Sequence, residues 1–419
     1  MGKILTKNYT YIDLFAGIGG FRLAMEDYSK HHAICLYASE INDDARKTYE
    51  LNFHQKPLGD VRQIDPVKLG YDAPEVVCGG FPCQTFSKGG FQAGFKDSRG
   101  TLFREIIRIL ESYPEEKRPK ILILENVQNL ISHDNGDTWK TIHHEISEAG
   151  YNVISKPIVL APKDVGIPQL RNRAIILAVR RDIYSESIDL SFERVKQNTL
   201  SIESIIDNNI SDADRNKYQI SKEQDNLLKC WDEFIHIIPK DDRVIGYPIW
   251  SDEFGKKYDI SNFPKWKQSI VNKNRKLYLM YKNEIDAWMK KWKIRESFTP
   301  TNRKFEWQAG KNIDSVFDGI IQFRTSGIRV KRPTESPTLV AMDHRPVYGP
   351  EKRFFTPSEA LKLQSFPTDY KFNEKEKEIF KQLGNAVNAK VIEVAFEAFV
   401  NYLEKQKGGI TDGKKSKSF

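Results

Sequence analysis

No apolar run in the 419 residues approaches the roughly 18 consecutive residues that a membrane-crossing helix needs, so no bilayer span is expected. Cysteine is scarce: Cys35, Cys78, Cys83 and Cys230 form no CxxC pair and have no histidine at metal-ligand spacing. That argues against a disulfide framework and a zinc site, and no metal is expected. The N-terminal segment has no apolar core followed by a small-residue cleavage site, so the expected location is the cytoplasm. The Met-Gly start with Thr6 fits a loose myristoylation pattern that chance also produces. No internal repeat is present, and a GxGxxG dinucleotide fingerprint fails because Arg22 stands where its third glycine is required.

What is present suits a soluble globular chain: 39% hydrophobic and 29% charged residues, at a length that favours two domains over one. A formal charge of +8 is compatible with a polyanionic partner without identifying one.

Residues 10–180 alternate short β-branched or apolar runs with amphipathic helical patterns near 20–28, 43–53, 101–112 and 137–149. Such alternation implies a mainly parallel sheet covered on both faces, with ligands gathered at the carboxyl ends of its strands. From 186 to 345 charge rises and no βα alternation can be read, which predicts a second domain of irregular structure. After Pro264 a helix is expected, its lysines and arginines interleaved with Trp266, Tyr278, Tyr281, Trp288 and Trp292. Two readings of it weigh equally: aromatics as core beneath solvated lysines, or a nucleic-acid surface. Near the C-terminus Val387, Val391, Val394, Ala395, Ala398 and Phe399 form a stripe at helical spacing that should pack back on the sheet.

"IDLFAGIGGFRLA" sets glycines directly after a strand and before a helix. The turn would let a ligand approach the backbone closely, and Glu40, about 20 residues on, is placed to accept hydrogen bonds from a ribose diol. An adenosine ligand without phosphates fits, S-adenosylmethionine being the candidate; a purely structural turn is the alternative. Asp60 could hold an adenine amino group or be an ordinary surface aspartate.

"VVCGGFPCQTFSKGGF" ends an apolar run in Pro-Cys-Gln and then passes into glycines. Pro82 fixes φ and stiffens the exit from the strand, presenting Cys83 just past its end. A thiol with an ordinary pKa of about 8.5 is mostly protonated at neutral pH and needs help to act as a nucleophile. "KILILENV" places Glu125 and Asn126 at another strand's carboxyl end, and "GIPQLRNRAIILAV" presents Arg171 and Arg173 before the last predicted strand. Singly, Glu125 could neighbour a helix N-cap and Arg173 could form a surface salt bridge. Together they suit a cytosine ring: thiolate addition at C6 pushes charge onto N3 and O2, where a carboxyl group and guanidinium groups would meet it.

In this order "DLFAGIGGF", "GFPCQTFS", "DSRGTLF", "ENV", "QLRNR" and "QLGNAVN" resemble the motif set of the bacterial C5-cytosine-specific DNA methyltransferases of restriction-modification type, over residues 10–180 and 330–400. The resemblance implies an α/β fold: a Rossmann-like S-adenosylmethionine-dependent methyltransferase with a mixed sheet, plus a smaller irregular target-recognition domain. It implies Cys83 as nucleophile, Glu125 as the N3 partner, and Arg173 supported by Arg171 holding the cytosine. Phe15, Gly17, Gly19, Gly20, Glu40, Ile41, Asp60, Val61, Pro82, Leu102, Asn385 and Val387 would line the S-adenosylmethionine pocket. Ile41 departs from the tryptophan that several members carry against the adenine, which should weaken stacking. The segment "SKGGFQAGFKDSRG" would close over DNA once the base has flipped out, with Ser87 and Lys88 as DNA contacts; a merely flexible loop is the alternative.

The expected division is 1–185 for catalysis and cofactor, 186–350 for target recognition, 351–375 as hinge, 376–405 as a C-terminal helix returning to the catalytic domain, and 406–419 as a disordered tail. "RPTESPTLVAMD", Arg332 to Asp343, would organise the recognition region against the catalytic one. The implied partner is double-stranded DNA, with a cognate restriction endonuclease encoded nearby and a monomer as the working form. Two rivals stand beside this reading. One is a tRNA cytosine-5 methyltransferase, whose kind carries a much smaller middle region; the other is a catalytically silent DNA-binding regulator.

Overall fold

Short aliphatic and aromatic runs closed by glycine or polar turns favour pleated, buried strands, and the chain forms them in quick succession. The structure is a computed structural model that describes residues 4–30, 32–82, 102–192, 194–195, 200–340, 345–373 and 375–415. Two compact units result: Met1–Thr199 with Leu361–Phe419, and Leu200–Ala360.

In the first unit the order is β1 (Thr10–Leu14), α1 (Gly20–Ser29), β2 (Ile34–Ser39), α2 (Asp43–Phe53), β3 (Val76–Gly80), α3 (Leu102–Glu111), β4 (Ile121–Val127), α4 (Asp137–Glu148), β5 (Tyr151–Val153), β6 (Ile158–Leu160), β7 (Gln169–Leu170) and β8 (Arg173–Arg180). Among the described residues, seven strands make one sheet, ordered β2-β1-β3-β4-β8-β5, with β6 also on β8. β2, β1, β3 and β4 run parallel, and β8 enters antiparallel to β4. Both faces are covered, so the strands read as nearly continuous apolar runs. Ile12, Leu14, Val77, Leu122 and Leu124 pack with α3 and α4 residues Phe103, Ile106, Ile142 and Ile146. Tyr11, Cys78, Ile123, Ile175 and Leu177 face the other way, against Phe21 of α1.

The chain returns through α10 (Pro357–Gln364), which starts in the second unit, then α11 (Glu376–Asn385) and α12 (Ala389–Lys415). The buried stripe of α12 is Val391, Ile392, Ala395, Phe396, Phe399, Val400 and Leu403, while Val394 and Ala398 lie half-buried on its flank. The helix runs on to Lys415, into the stretch expected to be a disordered tail beyond 405.

The second unit has α5 (Asp212–Tyr218), α6 (Lys222–Ile237), β9 (Ile249–Trp250), α7 (Lys265–Met280), α8 (Lys282–Trp292), α9 (Ile294–Ser297), β10 (Lys304–Gln308), β11 (Ile320–Arg324), β12 (Gly327–Lys331), β13 (Ser336–Pro337), β14 (Val347–Tyr348) and β15 (Arg353–Phe354). A sheet ordered β15-β14-β11-β12-β10-β9 backs onto a core in which Trp231 stacks on Phe305 at 4.7 Å between ring centres. This is more regular than the sequence pattern suggests, because strands of two to five residues flanked by charge leave too little alternation to read. The aromatics after Pro264 divide between the two readings. Trp288 and Tyr278 are core, Tyr281 and Trp292 are half-buried, and Trp266 is 62% exposed. Among the described residues no helix is long and apolar enough to cross a membrane.

One close approach ties the first turn to the C-terminal segment. A Cβ on Gly20 would sit 2.7 Å from Val387 Cγ2 and 2.8 Å from its carbonyl oxygen. Gly20→Ala should therefore lower stability by about 1–3 kcal/mol, the usual cost of overpacking, seen as a lower urea midpoint. An unchanged midpoint would show that the contact relaxes freely.

Candidate active site

β1 ends in a turn that bends through positive φ at Phe15 (58°), Gly17 (55°) and Gly19 (90°). At Gly17 a Cβ would meet no atom within 4 Å, so the backbone there faces open space. At Gly19 it would lie 2.3 Å from Phe53 Cε2, which no side chain allows. Tyr370 donates to the Ile18 carbonyl and fixes the turn from outside. Glu40, just past β2, accepts the Gly17 N–H at 2.9 Å through Oε2 and the Asn42 N–H at 2.7 Å through Oε1. Each oxygen keeps a lone pair for a further donor. Beside it Ile41 is 67% exposed.

Asp60 precedes buried Val61 and accepts the Arg62 N–H at 3.0 Å. The Arg62 guanidinium, paired with the same carboxylate, holds it below the usual aspartate range. Leu102 opens α3 half-buried, Pro82 is half-buried, and Asn385 is exposed at the end of α11. Val387 reaches both the Gly20 and the Gly80 backbones. The turn and the 385–388 segment are thereby brought together.

The catalytic candidates gather where β3 and β4 end and β8 begins. Gly80 pairs with Glu125, and the antiparallel register sets Val127 opposite Arg173. Glu125 is mostly buried, and Arg173 Nε lies 2.7 Å from its Oε1. Arg173 also donates through Nη1 to the Asn172 carbonyl at 2.9 Å. Arg171, 4% exposed, donates through Nη2 to the Ala386 carbonyl at 2.9 Å. Glu125, Arg171, Arg173, Pro162, Val387, Asn388, Val391 and Ile392 line one small pocket. Two guanidinium groups beside one carboxylate favour a bound group that gains negative charge. Asn126 donates to the Phe81 carbonyl at 3.1 Å and accepts its neighbour Val127 N–H at 2.8 Å, so it fixes the chain just before residue 83. Cys83, Ser87 and Lys88 themselves lie outside the described residues.

Two residues that the motif reading passed over belong to this architecture. Asn388 donates to the Leu363 carbonyl at 2.9 Å and accepts the Val391 N–H at 3.0 Å, clipping the start of α12 to the preceding segment. Asp13 is fully buried on β1 with neither carboxylate oxygen in a hydrogen bond. Burial pushes its pKa up to about 8, with Arg22 pulling it down and Glu40 adding to the rise. A lone acidic residue inside the apolar run "YTYIDLF" was the available signal for it.

Residues 9–401 match the family model of the C-5 cytosine-specific DNA methylases. The chain is similar to the Type II methyltransferase M.AluI of Cellulosimicrobium cellulans, 30% identical over 92% of this chain and 90% of that protein. It is 44% identical to the Type II methyltransferase M.HhaI of Haemophilus parahaemolyticus over 41% of this chain and 50% of that one. Among solved structures, the Entamoeba histolytica methyltransferase EhMeth aligns with a TM-score of 0.54 at 18% identity over 96% of this chain and 99% of its own. A putative DNA modification methyltransferase encoded within an E. coli prophage aligns with a TM-score of 0.52 at 19% identity over 94% and 99%. These two show the shared α/β fold.

Asp13 yields a pH test. Its folded pKa of about 8 lies above the ordinary aspartate value of about 3.9, so the folded chain holds an extra proton between them. Its contribution to stability is complete below the lower value and is lost as pH rises through the upper one. Between about pH 5 and about pH 9 the wild-type unfolding midpoint should fall more than that of Asp13→Asn, which has no proton to lose. Parallel curves would contradict the buried, unpartnered carboxyl.

Proposed function

The chain belongs to the C-5 cytosine-specific DNA methylase family, and from that premise we propose that it flips a cytosine out of duplex DNA and methylates C5 through a covalent adduct between Cys83 and C6. The observation that carries this reading is the Glu125–Arg173 pair at 2.7 Å, on the edge to which β3 and Asn126 deliver the chain just before Cys83.

The family generally uses S-adenosylmethionine, which when bound supplies an electrophilic methyl group on sulfur. The residues present fit it: open backbone at Gly17, free lone pairs on Glu40 for a ribose diol, Asp60 on the next loop, and Val387 closing against Gly20. Phe15, Gly19, Ile41, Val61, Pro82, Leu102 and Asn385 complete the proposed pocket.

In the proposed sequence the Cys83 thiolate forms the S–C6 bond, and the C5–C6 electron pair moves toward N3 and O2. Glu125 donates a proton to N3 while Arg173, steadied by its bond to the Asn172 carbonyl, faces O2; Arg171 anchors the 386–388 segment from the same rim. The electron pair at C5 would be methylated by the bound S-adenosylmethionine, whose S–CH3 bond would break and leave S-adenosylhomocysteine. A base removes the C5 proton, the C6–S bond breaks to regenerate the thiolate, and N3 returns its proton to Glu125. The pair's burial matters because charge developing on the ring is met by fixed groups in place of mobile water.

Ser87 and Lys88 are proposed DNA contacts on the segment that follows Cys83. Relatives that are Type II methyltransferases support a protective role beside a restriction endonuclease; a monomer is the working form we propose. Residues 200–360 form a unit of their own, which we assign to target recognition.

Bisulfite sequencing of plasmid DNA from cells expressing the chain should show 5-methylcytosine at one short motif, absent with Cys83→Ala. Methylation surviving in the variant would remove Cys83 from the mechanism, and unmodified DNA with the wild type would overturn the substrate. A second test concerns Ile41: Ile41→Trp should lower KM for S-adenosylmethionine by about 2- to 10-fold through stacking, with kcat unchanged. A KM that stays put would place the adenine elsewhere.

A further inference from the structure

We infer that Glu306, Gln322, Arg324 and Arg329, on the outer face of the second unit's sheet, form a site that reads the edge of a G·C base pair. This rests on the DNA-methylating reading above and names the side chains by which that activity would choose its sequence.

The placement follows from strand alternation. Phe305 pairs with Ile328 and Trp307 with Val330, while Ile321 pairs with Val330, and these residues fill the core. Between them Glu306, Arg329 and Gln322 stand in one row across β10, β12 and β11, necessarily on the opposite face. Arg324, two residues after Gln322, shares it. Oε2 of Glu306 accepts from Arg324 Nη2 at 2.6 Å and from Arg329 Nε at 2.5 Å. One carboxylate thus holds two guanidinium forks and leaves one unit of positive charge.

The network is incomplete in itself. Gln322 is 4% exposed and its Oε1 has no hydrogen-bond partner; Arg324 Nε is also buried without one. Burial and the neighbouring Arg329 charge lower the pKa of Arg324, so its guanidinium would gain from an acceptor. The two arginine side chains remain 15% and 26% exposed, open to a partner from outside. The frame is stiff: Gly327 sits at φ 119°, and a Cβ there would lie 2.6 Å from the Lys304 carbonyl, so the hairpin is seated on the start of β10.

The mixture of groups selects the ligand. A phosphate offers acceptors alone, and a carboxylate and an amide carbonyl in the same patch would repel it. Phosphates are better met by the exposed lysines of α7, Lys265, Lys273 and Lys276. In the major groove a G·C pair presents guanine N7 and O6 as acceptors beside the cytosine amino donor, which matches guanidinium forks next to carbonyl and carboxylate oxygens.

The test is methylation of a randomised duplex library, read by bisulfite sequencing, for the wild type, Arg324→Ala, Arg329→Ala and Arg329→Lys, with thermal melts and S-adenosylmethionine binding verifying that each variant folds. The wild type should show a G·C pair at a fixed offset from the target cytosine. Each alanine variant should methylate that motif about 10- to 100-fold less and lose the preference at that one position. Arg329→Lys, which keeps the charge but not the fork, should lose it too. If the folded variants keep the wild-type preference, or weaken equally on every sequence while Arg329→Lys rescues, the site is structural or phosphate-binding and the inference fails. If the wild type methylates no DNA at all, the underlying reading fails first, and the two failures are told apart.

Discussion

Antiparallel entry of β8 beside β4 is the constraint on which the site depends. It sets the end of one strand against the start of the other, so that Glu125 and Arg173 meet at 2.7 Å with side chains only 10% and 18% exposed. Removing two charges from water costs several kcal/mol each in effective terms, and a hydrophobic pair of similar volume is often no less stable. A pair kept under that penalty at a strand tip, lining a pocket with a second arginine, suits chemistry better than stability.

The same edge is coupled to the glycine turn after β1 through one short segment. Ala386 accepts from Arg171, Val387 closes on Gly20 and Gly80, and Asn388 starts α12. The helix then buries its apolar stripe beside the sheet, so the C-terminal residues hold the Glu125–Arg173 edge and the glycine turn in one register. Asp13 shows the opposite economy: a carboxyl with no partner, held beneath the turn at the expense of its charge.

The first unit was legible because a strand buried on both faces writes an apolar run, and because glycine at Gly17 and Gly19 marks positive φ that other residues rarely adopt. The α1, α2, α3 and α4 positions follow the amphipathic spacing closely. What the spacing could not give was contact between distant motifs: the hold of Asn126 on Phe81 and of Arg171 on Ala386 depends on register. The second unit was harder to read. Its β10, β11 and β12 carry charge on one face and are short, and Trp288 in the core has the same surroundings in sequence as Trp266 on the surface. Family membership supplies the activity class; the roles of individual side chains rest on the chemistry argued for them.

The most direct test of the central claim is a trapping experiment. A duplex carrying 5-fluorocytosine at the target position, incubated with the chain and S-adenosylmethionine, cannot lose a proton from C5, so the adduct should persist. Mass spectrometry is predicted to find protein and DNA joined one to one, methylated at C5, with the cross-link on the peptide containing Cys83. Methyl transfer without a cross-link, or a cross-link on any other residue, would contradict the account.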